Sequence, residues 1–495
     1  MQGSTQSGLR SSLQLGIKHH KEGRIEQARV IYQSILDALP SQFEALYLLA
    51  VVAQQTDRPA QAVELLSRAD QSRPNQAAVH LQLGLAFSQM DDIERAVASY
   101  RKALHLDSRC VEAVCNLGNL LKRSGDRDGA LQCYGQALQL APSMAEIPYN
   151  VGVLYQECLQ PDKAIDWFRQ AIALRPDYAA AYNHLGVALS EIGCLEEAAR
   201  HYRHAQSLDP GSADAFYNLH ALLLRPPDWR EARACLESAL TIEPGNGVYR
   251  FSLGVLLEVM GDPDAAASCF AAAADSDRMR ADLQAWDYLK SLGDPLPTLS
   301  GSSLQTFALA LEHARVSGLV LEFGVYQGRS IRQLAGLVEG AVHGFDSFEG
   351  IPDDWCHERR GSYSTQGALP EVPANVSLHR GWFEDSIPLF LGTESGPIRF
   401  INIDCDLYSS TRTVLDLLAP HIVPGTVIVF DEFIGYPGWQ EHEFRAFTEA
   451  VERFAWHPEV LAFSFVTRQV VIRIAAVAPG NPRQRHDNRY GIAGH

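Results

Sequence analysis

The sequence predicts a multidomain chain in which an all-α solenoid of helical hairpins precedes an α/β domain built on a mostly parallel sheet. Three observations carry this. A shift of 34 residues superimposes the first half on itself. The second half consists of short β-branched runs separated by helical stretches. Between the two lies a Gly-, Pro- and Ser-rich segment, Gly293–Ser303. At 495 residues the chain exceeds what one core organises, and 46% hydrophobic content is that of a folded protein.

In the first half, a small residue recurs at Gly16, Ala50, Gly84, Gly118, Gly152, Gly186 and Gly254, with His220 the exception. Alanine follows at Ala28, Ala62, Ala96, Ala130, Ala164, Ala198, Ala232 and Ala266, and a bulky residue four positions later, from Tyr32 and Leu66 to Phe270. Proline closes several blocks, among them Pro40, Pro142 and Pro244. Small residues let antiparallel helices approach, the bulky one fills the wedge beside them, and proline stops the second helix. This pattern resembles the tetratricopeptide repeat over residues 9–280, in eight blocks after an N-terminal extension at 1–8. Asn116, Asn150 and Asn218 occupy one equivalent first-helix position. Such a row resembles the amide ladder that holds an extended peptide, since an amide both donates and accepts. Gln82, His184 and Ser252 interrupt it, and a solvated polar stripe is the competing reading.

A net charge of −17 argues against nucleic acid as a partner. No apolar run reaches the ~20 residues of a membrane span and no signal peptide is evident, so the expectation is a cytoplasmic protein without membrane attachment. Nine cysteines without CxxC pairs read as reduced thiols.

A linker is expected at 281–303, an α/β domain at 304–475 and a disordered tail at 476–495. The α/β domain shows seven runs: GLVLEF, AVHGFD, NVSLHRG, IRFINID, TVIVFDEF, VLAFSF and VVIRIA. Only Val466–Gln469 separates the last two, which requires an antiparallel hairpin. A Rossmann-like sheet of seven strands ending in such a hairpin resembles the class I methyltransferase fold.

In open α/β sheets ligands sit beyond the carboxyl ends of strands. After the first run come Glu322, Gly324, Tyr326, Gly328 and Ser330, where glycines permit close backbone approach and a helix start offers free N–H groups. The second run ends in Asp346-Ser347, placing a carboxylate where it can accept from two ribose hydroxyls. Trp382 and Phe383 follow the third and suit the flanks of a purine, with Asp385 near its amino group; core aromatics are the alternative. Asp404-Cys405-Asp406 follows the fourth and Asp431-Glu432 the fifth. Acids this close repel unless a cation lies between them, and hard oxygen ligands suit Mg²⁺. Whether both Asp404 and Asp406 are ligands depends on how the chain runs beyond the strand end.

Together LEFGVYQG, GFDSFEGIP, GWFEDSIP, IDCDLYSST and the Asp-Glu pair resemble the macrocin O-methyltransferase family over residues 305–475. The resemblance implies S-adenosylmethionine held by the residues just named, with Asp404 among them. It implies Mg²⁺ on Asp404, Asp406, Asp431 and Glu432, with Asp406 and Asp431 catalytic, and methyl transfer to a hydroxyl of a sugar or natural-product-like acceptor. Where the family has two aspartates this chain has Asp431-Glu432. His442, in the aromatic and acidic loop Gly435–Glu443, is a further base candidate against a solvated histidine. The resemblance also implies self-association through this domain. The repeats are expected to bind a protein or peptide, or to deliver a small-molecule or glycan acceptor. Two alternatives stand beside this reading: a repeat scaffold with an inactive cofactor-binding domain, and a methyltransferase acting on a protein-bound acceptor.

Overall fold

The computed structural model describes residues 2–224, 228–273, 277–293, 295–356 and 358–478, and divides into two compact units after Asp177. Most of the tail expected at 476–495 therefore lies outside the described residues; Ala476 and Val477 close a strand.

The first unit holds five helical hairpins: α1 (Gln2–Lys21) with α2 (Ile25–Ala38), α3 (Phe43–Gln55) with α4 (Pro59–Ser72), α5 (Ala77–Gln89) with α6 (Ile93–Leu106), α7 (Val111–Arg123) with α8 (Arg127–Leu140), and α9 (Glu146–Glu157) with α10 (Pro161–Leu174). The small–large pairing of the repeat is their packing contact. A Cβ on Gly84 would lie 2.5 Å from the Tyr100 ring, and one on Gly152 2.7 Å from Phe168. Where the small position carries a methyl, at Ala50, its partner shrinks to Leu66, and both are wholly buried. Gly84→Ala should therefore destabilise this unit by about 1–3 kcal/mol. Tyr100→Leu in the same chain should recover part of that loss, read as a positive coupling in a urea-denaturation double-mutant cycle.

The second unit begins with three more hairpins: α11 (Ala179–Glu191) with α12 (Leu195–Leu208), α13 (Ala213–Leu222) with α14 (Trp229–Ile242), and α15 (Gly247–Val259) with α16 (Pro263–Ala273). His220 takes the small position of α13 and its partner is Leu236, so volume is again exchanged across the pair. The imidazole is 1% exposed, its Nδ1 bonded to the Tyr217 carbonyl. Burial drives its pKa down to about 4, against a smaller upward pull from that carbonyl. The unfolded chain, with an ordinary histidine pKa near 6.5, takes up the proton first. Stability is thus full above pH ~6.5 and is lost as pH falls toward 4, by about 3 kcal/mol for this group. Calorimetric melting from pH 7 to 4.5 should show a steeper decline in the wild type than in His220→Gln.

Helix α17 (Asp277–Ser291) lies in the stretch read partly as linker, as does the short strand β1 (Thr298–Leu299). The α/β domain continues with α18 (Ser303–His313), β2 (Leu319–Phe323), α19 (Arg329–Leu337), β3 (Val342–Asp346), β4 (Val376–Arg380), α20 (Phe383–Leu391), β5 (Ile398–Ile403), α21 (Tyr408–Leu418), β6 (Val427–Phe430), α22 (Glu443–Phe454), β7 (Trp456–Phe463) and β8 (Val470–Val477). Strands β2–β8 correspond to the seven predicted runs. The order is β1-β7-β8-β6-β5-β2-β3-β4, with β8 antiparallel to both neighbours. The sheet thus has eight strands rather than seven, because β1 adds to its edge parallel to β7. The end of the repeats packs against that edge. Trp286 of α17, 1% exposed, lies 5.6 Å from the Phe463 ring, and Phe251 meets Phe465 edge-on at 4.8 Å. No helix among the described residues is long and apolar enough to cross a membrane, and the described cysteines are free.

Candidate functional site

Register across the parallel strands builds the site. Phe345 pairs with Phe323, Phe323 with Ile403, and Ile403 with Phe430. The next residue on each strand therefore emerges along one line at the carboxyl edge of the sheet: Asp346, Gly324, Asp404 and Asp431. Glycine is obligatory at 324, where φ is +91° and a Cβ would stand 1.7 Å from the Asp404 carbonyl oxygen. Left-handed backbone at Tyr326 (φ +48°) and Gly328 (φ +78°) curls the loop before α19.

Asp346 braces that loop. Its Oδ2 accepts from the Tyr326 N–H at 2.7 Å and its Oδ1 from the Phe348 N–H at 2.6 Å. Burial raises its pKa while these amides lower it. Glu322 is wholly buried beneath the loop, its oxygens accepting from the Ser330 hydroxyl at 2.8 Å and the Asn402 amide at 3.4 Å. Burial pushes its carboxyl up to about 8 against those hydrogen bonds. The Ser347 hydroxyl accepts from the Glu349 N–H at 3.1 Å and tightens the turn after β3. Trp382 is exposed just before α20, Phe383 packs edge-on against Phe323 at 5.5 Å, and Asp385 is exposed in the first turn of α20.

Beyond β5 and β6 the acids gather. Strand β5 ends at Ile403 and Asp406 has φ +60°, so the chain has left the strand and turns between the two aspartates. Burial, then Asp431, Asp406, Glu322 and Glu443, raise Asp404 well above the carboxylate range. Burial followed by Glu432 and Asp431 pushes Asp406 up to about 7. Asp431 is also pushed up to about 7, by burial and Glu432, against a hydrogen bond from the Gln469 amide. Burial raises Glu432 as well, though Arg468 donates to it at 3.0 Å. No three of the described His, Cys, Asp and Glu side chains are arranged to hold a metal ion.

Sequence reasoning did not single out Glu443 as a site residue. This first residue of α22 is wholly buried; its Oε1 accepts from the Cys405 N–H at 3.4 Å and its Oε2 has no hydrogen-bond partner. Gln469 and Arg468, in the β7–β8 connection, were also missed; the available signal was that a hairpin end must reach the edge its neighbour β6 reaches. His442 is half-buried, stacked on Tyr436 at 6.2 Å and edge-on to Trp355 at 6.4 Å, and burial lowers its pKa. Asn116 and Asn150 are half-buried in the first unit. Asn218, in the second, donates through Nδ2 to Asn183 at 3.1 Å.

A methyltransferase-domain family profile matches residues 321–433, the span holding the glycine loop, Asp346 and both acidic pairs. Tetratricopeptide-repeat profiles match residues 19–83, 77–110, 111–144, 160–193 and 179–212. The chain carries tetratricopeptide repeats followed by a methyltransferase domain. A curated relative from Streptomyces olivaceus, 8-demethyl-8-(2,3-dimethoxy-alpha-L-rhamnosyl)-tetracenomycin-C 4'-O-methyltransferase, is 30% identical over 145 residues, 24% of this chain. The chain spans 54% of that relative's length. Among solved structures, YrrB, a TPR protein with an unusual peptide-binding site, is 26% identical with a TM-score of 0.31, covering 38% of this chain and 96% of YrrB. Yeast Tom70 is 20% identical with a TM-score of 0.43, covering 53% of this chain and 57% of its own. Within the methyltransferase domain the profile match stops before Glu443, which reaches the acids from α22.

Proposed function

We propose that the chain is an S-adenosylmethionine-dependent O-methyltransferase acting on a hydroxyl of a sugar or natural-product-like acceptor, with the repeats as a protein- or peptide-binding or substrate-delivery module. One observation carries the reading: the shared register that brings a glycine loop, Asp346 and two acidic pairs to one sheet edge. The relative's name, which describes O-methylation of a rhamnosyl tetracenomycin, supports the acceptor class.

In this reading the loop amides of residues 324–330 receive the methionine end of the cofactor and Asp346 the ribose hydroxyls, while Glu322 holds β2 and α19 in place through Ser330. Trp382 and Phe383 flank the adenine, and Asp385 accepts from its amino group. When bound, S-adenosylmethionine would supply a methyl carbon on a cationic sulfur, leaving as the neutral thioether, and the acceptor hydroxyl would give up its proton to a carboxylate of Asp406 or Asp431. Asp431, its Oδ1 fixed by Gln469, and Asp406 orient the acceptor hydroxyl and accept its hydrogen bond.

The donor chemistry is of the kind a hard divalent cation takes, buried carboxylates that repel one another beside the unpartnered Glu443 Oε2, although no three of the described side chains are arranged around an ion and they would have to close on it. Asp404, Asp406, Asp431 and Glu432 would hold Mg²⁺, which supplies positive charge to offset them and to acidify the acceptor hydroxyl. Mass spectrometry of reactions with S-adenosylmethionine and a panel of glycosides should find a singly methylated product, lost with EDTA and restored by Mg²⁺. Undiminished product in EDTA would contradict the metal assignment.

A further inference from the structure

A cavity of about 360 Å³ opens in the second unit between repeat helices α11–α13 and the methyltransferase domain, and Asp431 lies on its wall. Glu191, the last residue of α11, and Gln333 of α19 both line it, side by side. The Glu191 side chain is 9% exposed; one oxygen pairs with the Arg329 guanidinium at 3.2 Å, and the other, buried, has no hydrogen-bond partner. The Gln333 amide donates to the Glu191 carbonyl at 2.8 Å, which leaves its own Oε1 buried and equally unpartnered. Two buried acceptors lining one cavity call for hydrogen-bond donors from a ligand, because an unmet acceptor out of water is costly.

The rest of the lining narrows the ligand. Arg329 balances the Glu191 charge, so the donors need not be cationic. Tyr217 adds aromatic surface and Asn218 an amide from the repeats. The volume is at the low end of the roughly 300–1,000 Å³ of small-molecule pockets, which suits one ring-sized group rather than an extended polypeptide.

Building on the methyltransferase reading, we propose that this cavity is the acceptor pocket and that the repeats form one of its walls. Glu191, Tyr217 and Asn218 select a neutral, hydroxyl-rich group about the size of a single sugar ring and hold it beside Asp431. The repeats thus belong to the active site itself and do more than recruit from a distance.

The test uses the full-length protein, methyl glycosides as probes and saturation-transfer NMR, with S-adenosylhomocysteine titrated separately. Wild type should show glycoside signals that fall at least fivefold in Asn218→Ala and vanish in Val466→Trp, whose indole would fill the cavity from the β7–β8 connection. Both variants should bind S-adenosylhomocysteine as the wild type does, which also reports that they are folded. Glycoside signals that persist in both variants, or that are missing from a wild type that binds S-adenosylhomocysteine, overturn the pocket while leaving the methyltransferase reading intact. Failure to bind S-adenosylhomocysteine overturns both. A glycopeptide that out-competes the free glycoside identifies the sugar as one carried on a polypeptide; equal affinity identifies a free glycoside, and either result supports the pocket.

Discussion

Asp431→Ala is expected to reduce methyl transfer by at least about 100-fold while leaving affinity for S-adenosylhomocysteine unchanged. The two functions use different strands. Asp431 follows β6 and is fixed by Gln469, whereas the proposed cofactor contacts follow β2, β3 and β4. The substitution also removes repulsion from a crowded set, since Asp404 and Asp406 both lose a neighbour that disfavours their charge. The folded state should therefore tolerate it, and a melting temperature at or above that of the wild type is expected. Single-turnover transfer of a radiolabelled methyl group, with calorimetric titration alongside, separates these effects. Full activity in this variant would remove Asp431 from the chemistry.

The second large effect is at Gly324. Any side chain there meets the Asp404 carbonyl oxygen at 1.7 Å, and the backbone on both sides is fixed: the Gly324 N–H donates to the Phe345 carbonyl at 3.0 Å and the Asp404 N–H to the Phe323 carbonyl at 2.8 Å. Neither strand can shift without breaking the parallel ladder, and φ of +91° adds strain for an L-residue. Gly324→Ala should cost the second unit about 3 kcal/mol or more, read as a drop in the urea midpoint of that unit. Gly340→Ala, a glycine whose Cβ would meet nothing within 4 Å, is the matched control and should change the midpoint little.

Much of this architecture was legible in the residues. The 34-residue period recurs because each hairpin buries the same small–large contact, so one packing problem writes itself into the chain repeatedly. The seven apolar runs became β2–β8 because strands buried on both faces leave continuous β-branched segments. What escaped depended on distant partners. Strand β1 is two residues long and exists through its pairing with Ala462 and Phe463; locally, Pro295 and Pro297 read as linker. Helix α17 breaks the repeat pattern because Trp286, which donates to Glu258 of α15, also packs on the Phe463 ring of the sheet.

The candidate site divides the same way. Residues directly after strands were found because strand ends can be read from sequence. Glu443 was not, because it starts a helix and reaches the acids only through the Cys405 amide. The relation of Asp404 to Asp406 turned on the end of β5 at Ile403 and one positive φ at Asp406, neither of which the local residue pattern marks.

The central claim is that the sheet edge binds S-adenosylmethionine. Isothermal titration of the full-length protein with S-adenosylhomocysteine, beside Asp346→Ala, tests it most directly. The account predicts a single site in the wild type and none in the variant, because the carboxylate that ties β3 to the glycine loop is gone. Equal binding in both would contradict the placement of the cofactor, and no binding in either would contradict the enzyme.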